Sequence, residues 1–344
     1  MSSPTSIELD ERALRGAIDD EAFSGVVSVD LADVSVWRSA HGLADRASRT
    51  PVTADTRFAI ASGSKAFTAL VVMRLVEDGT LSLDTPARSI LGEDLPLIGD
   101  AVTIEHLLGH TSGIGDYIDE DDDLDVSEFF LDVPVHTLTS AEAFLPLLDG
   151  TPARAAAGAT FAYCNSGYIL LAIVCERVTG RGYHELVQEL VLDPAGLDAT
   201  GFPRTDELGA DHARGYVFDE GLRANTLHLP VRANGDGGAS TTASDIHRFW
   251  RAFFAGRIVS AESVALMTTP RSHDEDEGTR YGLGFWLNET GPGVVLEGCD
   301  VGASFRTVHH PAAAVTATVM SNTADGAWAV ARVLAEAVGA LDEA

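Results

Sequence analysis

The sequence predicts an α+β fold: an antiparallel sheet built from N- and C-terminal strands and flanked by helices, with a mostly helical region inserted between the two sheet halves. Strand-like alternation appears near both ends of the 344-residue chain, at residues 23–43 and again from residue 281 onward. The middle, to about residue 235, reads instead as helical patches joined by loops rich in Pro, Gly and Asp. The expected division is a discontinuous sheet region of residues 1–61 and 236–344, a helical region of residues 62–235, and one catalytic site between them.

Each element has its own warrant. Residues 7–22 set Ile7, Leu9, Leu14 and Ile18 among acids, the pattern of a surface helix. Residues 23–43 alternate through Val26, Val27, Val29, Leu31, Val34 and Val36, a hairpin of two strands. Residues 66–77 carry Phe67, Leu70, Val71, Val72, Met73, Leu75 and Val76 on all sides, so this helix is buried; Gly79 stops it. Further helices are predicted over 167–178, closed by Gly180, and over 183–192, stopped by Pro194. Strands follow at 281–287, 293–297, 304–309 and 315–321, then an amphipathic helix over 327–341. The acidic run 119–123, continued by Asp125, lacks the turn glycine of a calcium loop and reads as a solvated loop.

Charge excludes some partners. Fifty-two acids against 23 basic residues give a net charge of -29, which repels nucleic acid and anionic membranes. The excess resembles the surfaces of proteins from organisms with a salt-filled cytoplasm. Self-repulsion acts over roughly 10 Å at 0.1 M salt and only about 3 Å at 1 M. The melting temperature is therefore expected to rise across a KCl series from about 0.1 to about 2 M; a flat or falling series overturns the halophilic reading. The first ten residues have no basic start and no apolar run, so no secretory leader is expected. No stretch approaches a membrane span. Three cysteines, Cys164, Cys175 and Cys299, are expected as thiols, and the protein as cytoplasmic.

The chain has one lysine among 23 basic residues, and Lys65 follows Ser62 by three positions. Arginine serves as well for a surface charge but stays protonated, so a lone lysine marks a place where an amine must go neutral. Ser62 and Lys65, at i and i+3, point the same way if a helix begins there. Burial of that helix is expected to lower the lysine pKa, and its N-terminus to set the Ser62 N–H where an oxyanion develops. The pair reads as a serine nucleophile with its activator. Tyr163 and Asn165, two apart, project on one side of an extended segment. A phenol near Lys65 can exchange protons with Ser62, and an amide can hold a substrate carbonyl. The competing reading makes Tyr163 a core aromatic and Asn165 a helix cap.

Three segments carry a resemblance: Phe58-Ala59-Ile60-Ala61-Ser62-Gly63-Ser64-Lys65, Leu107-Leu108-Gly109-His110-Thr111-Ser112-Gly113, and Tyr163-Cys164-Asn165-Ser166-Gly167-Tyr168. Together, and in this order, they resemble the serine β-lactamase-related family, which includes class C β-lactamases, D-amino-acid peptidases and carboxylesterases. Gly237 and Gly238, with the residues up to Asp245, resemble its glycine-rich segment. The resemblance implies a β-lactamase/transpeptidase-like fold and an acyl-enzyme on Ser62, with Lys65 and Tyr163 moving the proton and Asn165 orienting substrate. One departure matters. The family's basic residue before a small residue and glycine should fall at Leu296-Glu297-Gly298, where Leu296 stands instead. Its loss favours substrates without a carboxylate beside the scissile bond. Gly298 and the backbone N–H near Cys299 remain to bind substrate and complete an oxyanion hole.

The expected function is therefore a serine hydrolase for a small ester, amide or peptide substrate, foremost an esterase, with no metal or organic cofactor. A D-amino-acid peptidase or amidase, a β-lactamase, and a catalytically silent binding or scaffold protein are the alternatives. His106 and His110, four apart, have a zinc spacing but no third ligand, so His110 is expected as a structural hydrogen-bonder at a helix end. His309 and His310 are expected near the site with a surface role, and Cys164 and Cys299 as small packing residues rather than nucleophiles. Loops 114–150 and 205–235, which match no motif, are expected to set substrate choice.

Overall fold

The computed structural model describes residues 7–20, 23–118, 130–274 and 278–342. The Asp10 carboxylate accepts the N–H groups of Arg12 and Ala13 at 3.0 and 2.9 Å, so the first helix, α1, is Glu11–Asp20. It starts later than the sequence pattern suggests. The hairpin follows as β1 (Gly25–Leu31) and β2 (Val34–His41), with Val34 and Val36 exposed on the edge strand. A two-residue strand β3 (Phe58–Ala59) leads through a 3-10 turn (Ala61–Ser64) into α2 (Lys65–Glu77), then α3 (Ile104–Leu108) and α4 (Asn165–Thr179).

Helix α5 (Tyr183–Val187) runs on through a π turn (Gln188–Leu192) into a short helical piece, Asp193–Ala195, and ends at Gly196 with φ +70°. Pro194 does not stop it, contrary to the sequence expectation. After the π turn the proline lies in a new first turn, where a missing N–H costs nothing. The chain continues with β4 (Ser240–Thr241), α6 (Ala243–Phe254), β5 (Ser272–Asp274), β6 (Thr279–Tyr281), β7 (Trp286–Leu287), β8 (Val294–Asp300), β9 (Ala303–His310), β10 (Val315–Ser321) and α7 (Trp328–Gly339). Residues 281–287 are thus not one strand. Gly284 takes φ +88° and Gly282 donates to Phe285 O at 2.9 Å, folding the stretch back on itself.

Eight strands form one antiparallel sheet in the order β2-β1-β10-β9-β8-β7-β6-β5. The termini close it: β1 pairs with β10 from Gly25 against Ser321 to Leu31 against Val315. On one face α1 and α7 bury Leu14, Ile18, Val330 and Leu334 against Val27, Val29 and Val319. On the other, α2, α4 and α6 pack Phe67, Leu70, Ile169, Ile173, Phe249 and Trp250 over Phe305 and Leu296. Burying each such side chain contributes about 1.5–3 kcal/mol. Helix α2 is buried from Lys65 to Met73 and at Leu75, and only its last turn, with Arg74 and Glu77, reaches solvent. No described helix is long and apolar enough to cross a membrane. The acidic run 119–123 and Asp125 lie outside the described residues.

Strand β8 pairs with β7 only at Val294 and Val295. Farther along, the Gly298 face of β8 lies against the turn that carries Ser62. That junction of sheet and helical layer positions the site.

Candidate active site

The turn bearing Ser62 is pinned from two sides. Phe58 and Ala59 ladder with Thr241 and Ser240, and Ile60 N–H donates to Ala239 O at 2.9 Å. Gly238, at φ +77°, donates to Ala61 O at 3.1 Å, and the Ser64 hydroxyl bridges Ala61 O and Ala239 N, each at 2.8 Å. The glycine-rich segment therefore braces the nucleophile turn. Ala61 itself sits at φ +42°, a conformation that costs a non-glycine residue energy and is held by this bracing.

Residues i and i+3 eclipse across a 3-10 turn, which brings Lys65 over Ser62. Lys65 Nζ donates to Ser62 Oγ at 2.9 Å, Asn165 Oδ1 at 2.7 Å and Asp236 O at 2.7 Å. Those three acceptors match the three protons of an ammonium. The lysine is only 2% exposed. Its Nζ lies 4.8 Å from the centre of the Tyr163 ring, which is packed between His110 (4.4 Å) and Trp286 (5.9 Å, nearly parallel). The structure thus brings Ser62, Lys65, Tyr163 and Asn165 together.

The reason Asn165 reaches the lysine differs from the sequence argument. Cys164 is extended, but Asn165 is already the first residue of α4. The helix is capped from a distance. The Asp116 carboxylate accepts the N–H groups of Asn165 (2.6 Å) and Ser166 (2.8 Å) and the Ser166 hydroxyl (2.9 Å). A carboxylate there also complements the helix dipole. Because Asp116 does the capping, the Asn165 side chain can turn to Lys65. No local signature exposes a cap 49 positions away, so sequence reasoning missed Asp116.

Gly298 comes against the same turn. A Cβ on it would lie 2.3 Å from Ile60 O, 2.6 Å from Ser62 N and 2.8 Å from Gly63 N, so only glycine lets β8 approach this closely. Leu296, two residues earlier on the same face, is 3% exposed and buried in the core, so no cation stands there. Cys299 is exposed and lines a cavity of about 420 Å³ that opens on Ser62 and Asn165. Ile118, Leu131, Leu208, Leu229 and Pro230 supply much of its apolar wall, and they come from the two loops expected to set substrate choice. Tyr117 and Asp236 also line it, with the Tyr117 hydroxyl donating to Asp236 Oδ2 at 2.5 Å. Burial pushes the Asp236 carboxyl up, opposed by the Lys65 charge. Burial and then Asp236 keep the Tyr117 phenol protonated well above its ordinary range. Nothing local in the sequence marks either residue.

The remaining candidates resolve as structure. His106 completes a capping box with Thr103 at the start of α3, and no cluster of three or more metal-ligating side chains occurs among the described residues. His110 Nδ1 accepts the Cys164 N–H at 3.1 Å, as expected of a structural hydrogen-bonder; burial holds its pKa far below the ordinary value. His309 and His310 are corrected: both are buried, and neither lines the cavity. His309 stacks on Trp250 and Phe254, bonds Thr316 Oγ1 at 2.9 Å, and is held down to a pKa of about 3 by burial. All three cysteines are free thiols, and burial pushes Cys164 and Cys175 far up, which keeps them un-nucleophilic.

A family profile described as Beta-lactamase matches residues 11–340. Penicillin-binding protein 4* of Bacillus subtilis is 28% identical over 287 residues, 78% of this chain and 60% of that protein. Esterase EstB of Burkholderia gladioli is 34% identical over 223 residues, 58% of this chain and 54% of that protein. The chain thus spans less than two thirds of the length of these curated relatives. A crystal structure of a penicillin binding protein from Bacillus halodurans superposes with a TM-score of 0.87 at 35% identity, covering 94% of this chain and 99% of that one.

Proposed function

The chain belongs to the Beta-lactamase family, matched over residues 11–340, and from that premise we propose that it is a serine hydrolase forming an acyl-enzyme on ester or amide bonds. The observation that carries this reading is the contact of Lys65 Nζ with Ser62 Oγ at 2.9 Å beneath an open cavity. Ser62 Oγ attacks the carbonyl carbon while the Lys65 amine, with Tyr163 beside it, takes the hydroxyl proton. The tetrahedral oxyanion is held by the backbone N–H groups of Ser62 and Cys299. Its collapse expels the leaving group, which receives the proton from the same pair. Water then attacks the acyl-enzyme, releases the acid and restores the Ser62 hydroxyl. Asn165, fixed by Asp116 behind it, orients both Lys65 and the substrate.

An ester or amide lacking a carboxylate beside the scissile bond fits this cavity best. Leu296 is buried, and no lining residue among those described is Arg or Lys. A missing charge-assisted hydrogen bond lowers kcat/KM by about 10- to 100-fold. The test is a panel of short-chain p-nitrophenyl esters, D-alanyl p-nitroanilide and a chromogenic cephalosporin, run beside fluorophosphonate labelling. Short-chain esters are expected to turn over at least about 10-fold better than the cephalosporin. Equal rates would overturn the carboxylate argument. Absent turnover together with absent labelling would mark a silent protein.

A further inference from the structure

Of the three acceptors around Lys65 Nζ, only Ser62 Oγ is a reacting atom. The other two, Asn165 Oδ1 and the Asp236 main-chain oxygen, each at 2.7 Å, set the direction in which the amine points. Asn165 is fixed by the Asp116 cap on α4. The Asp236 carbonyl belongs instead to a turn, between Gly235 and Gly237. Gly235 is required there because a Cβ would lie 2.2 Å from Tyr168 O, and the Thr68 hydroxyl holds its carbonyl at 2.6 Å. The carbonyl that Lys65 uses is the next one along, and its residue is tied down through the side chain: Tyr117 Oη donates to Asp236 Oδ2 at 2.5 Å. The phenol keeps its proton, and the bond needs only an acceptor oxygen, so it forms whether the Asp236 carboxyl is ionised or neutral. Tyr117 is itself fixed from behind. Its N–H donates to Ser166 Oγ at 2.9 Å, and that hydroxyl donates to Asp116 Oδ1 at 2.9 Å. Two neighbours on one loop therefore reach the lysine by separate arms, Asp116 through Asn165 and Tyr117 through Asp236.

We propose that Tyr117 is a positioning residue for Lys65: by holding the Asp236 side chain it fixes the main-chain carbonyl that steers the amine onto Ser62. This rests on Ser62 being the nucleophile and Lys65 its activator. Without the phenol hydroxyl the Asp236 turn is free to rotate its carbonyl, and Lys65 loses one of the two contacts that aim it. A misplacement of about 1 Å in such a group costs about 10²-fold in rate. The effect falls on proton transfer from Ser62 rather than on substrate binding, because Tyr117 acts through the turn and the lysine.

The experiment is a double-variant cycle on a short-chain p-nitrophenyl ester, with kcat and KM measured separately. Tyr117→Phe removes only the hydroxyl and is expected to lower kcat by about 10- to 100-fold while KM changes by less than about 3-fold. Asp236→Ala should give the same pattern, and Tyr117→Phe with Asp236→Ala should fall no further than the worse single variant, because both cut one link. Asp236→Asn keeps an acceptor oxygen and should retain clearly more kcat than Asp236→Ala; this pair decides the matter if Tyr117→Phe does not fold. The rate of fluorophosphonate labelling of Ser62 should fall in step with kcat. An unchanged kcat in Tyr117→Phe, a loss confined to KM, multiplying losses in the double variant, or equal kcat in Asp236→Asn and Asp236→Ala overturns the proposal, while labelled Ser62 leaves the hydrolase reading standing. Failure of wild-type Ser62 to label at all overturns the nucleophile assignment and this proposal with it.

Discussion

Ser62→Ala is expected to abolish turnover, and Lys65→Arg to be nearly as damaging. Removing Oγ removes the atom that forms the acyl-enzyme, so no covalent path survives. Arginine keeps a positive charge at position 65 but cannot surrender its proton in the working range, and its planar fork does not reproduce three contacts made by one nitrogen. Loss of proton transfer alone costs about 10²- to 10⁴-fold in kcat. The measurement is kcat on a short-chain ester, together with mass spectrometry of the peptide carrying Ser62 after fluorophosphonate treatment. Wild type should give a stoichiometric adduct there and Ser62→Ala none. An adduct on Cys164 or Cys299 with Ser62→Ala still active would sink the assignment. The high thiol pKa that burial gives Cys164 predicts against it there.

Gly298→Ala is the second large effect. The added methyl would meet three backbone atoms of the serine turn, at 2.3, 2.6 and 2.8 Å, and backbone cannot swing aside as a side chain can. Either β8 or the turn must move by a few tenths of an ångström or more. Over-packing of this kind costs about 1–3 kcal/mol of stability. Displacement of the Ser62 N–H from the oxyanion position is expected to cost roughly 10²-fold in kcat, with a smaller change in KM. Gly16→Ala, in α1, serves as the control: a methyl added there meets nothing within 4 Å, and kcat should be untouched. Wild-type kcat in Gly298→Ala would show that β8 does not shape the oxyanion hole.

What could be read from the chain alone was local and periodic. The hairpin at the start, the buried α2 and the final helix follow from which positions are apolar, because a helix or strand repeats its environment at a fixed interval. The pairing of Ser62 with Lys65 is local too, since a spacing of three brings them together in one turn. A lone lysine among arginines carried chemical meaning before any fold was known.

Tertiary structure decided the rest, and it did so through contacts with no period. Asp116 caps a helix that begins 49 residues later, and only that contact releases Asn165 toward Lys65. Tyr117 meets Asp236 across 119 positions, and β1 meets β10 across nearly the whole chain. Pro194 reads as a stop because sequence rules cannot anticipate a π turn in front of it. His309 and His310 read as surface residues because polarity alone does not reveal that Trp250 and Phe254 stack over His309. A side chain's own chemistry and its near neighbours determine which reactions it can perform. Which groups surround it is settled by packing distant segments into one core, where a single unpaired buried group costs as much as several favourable contacts supply.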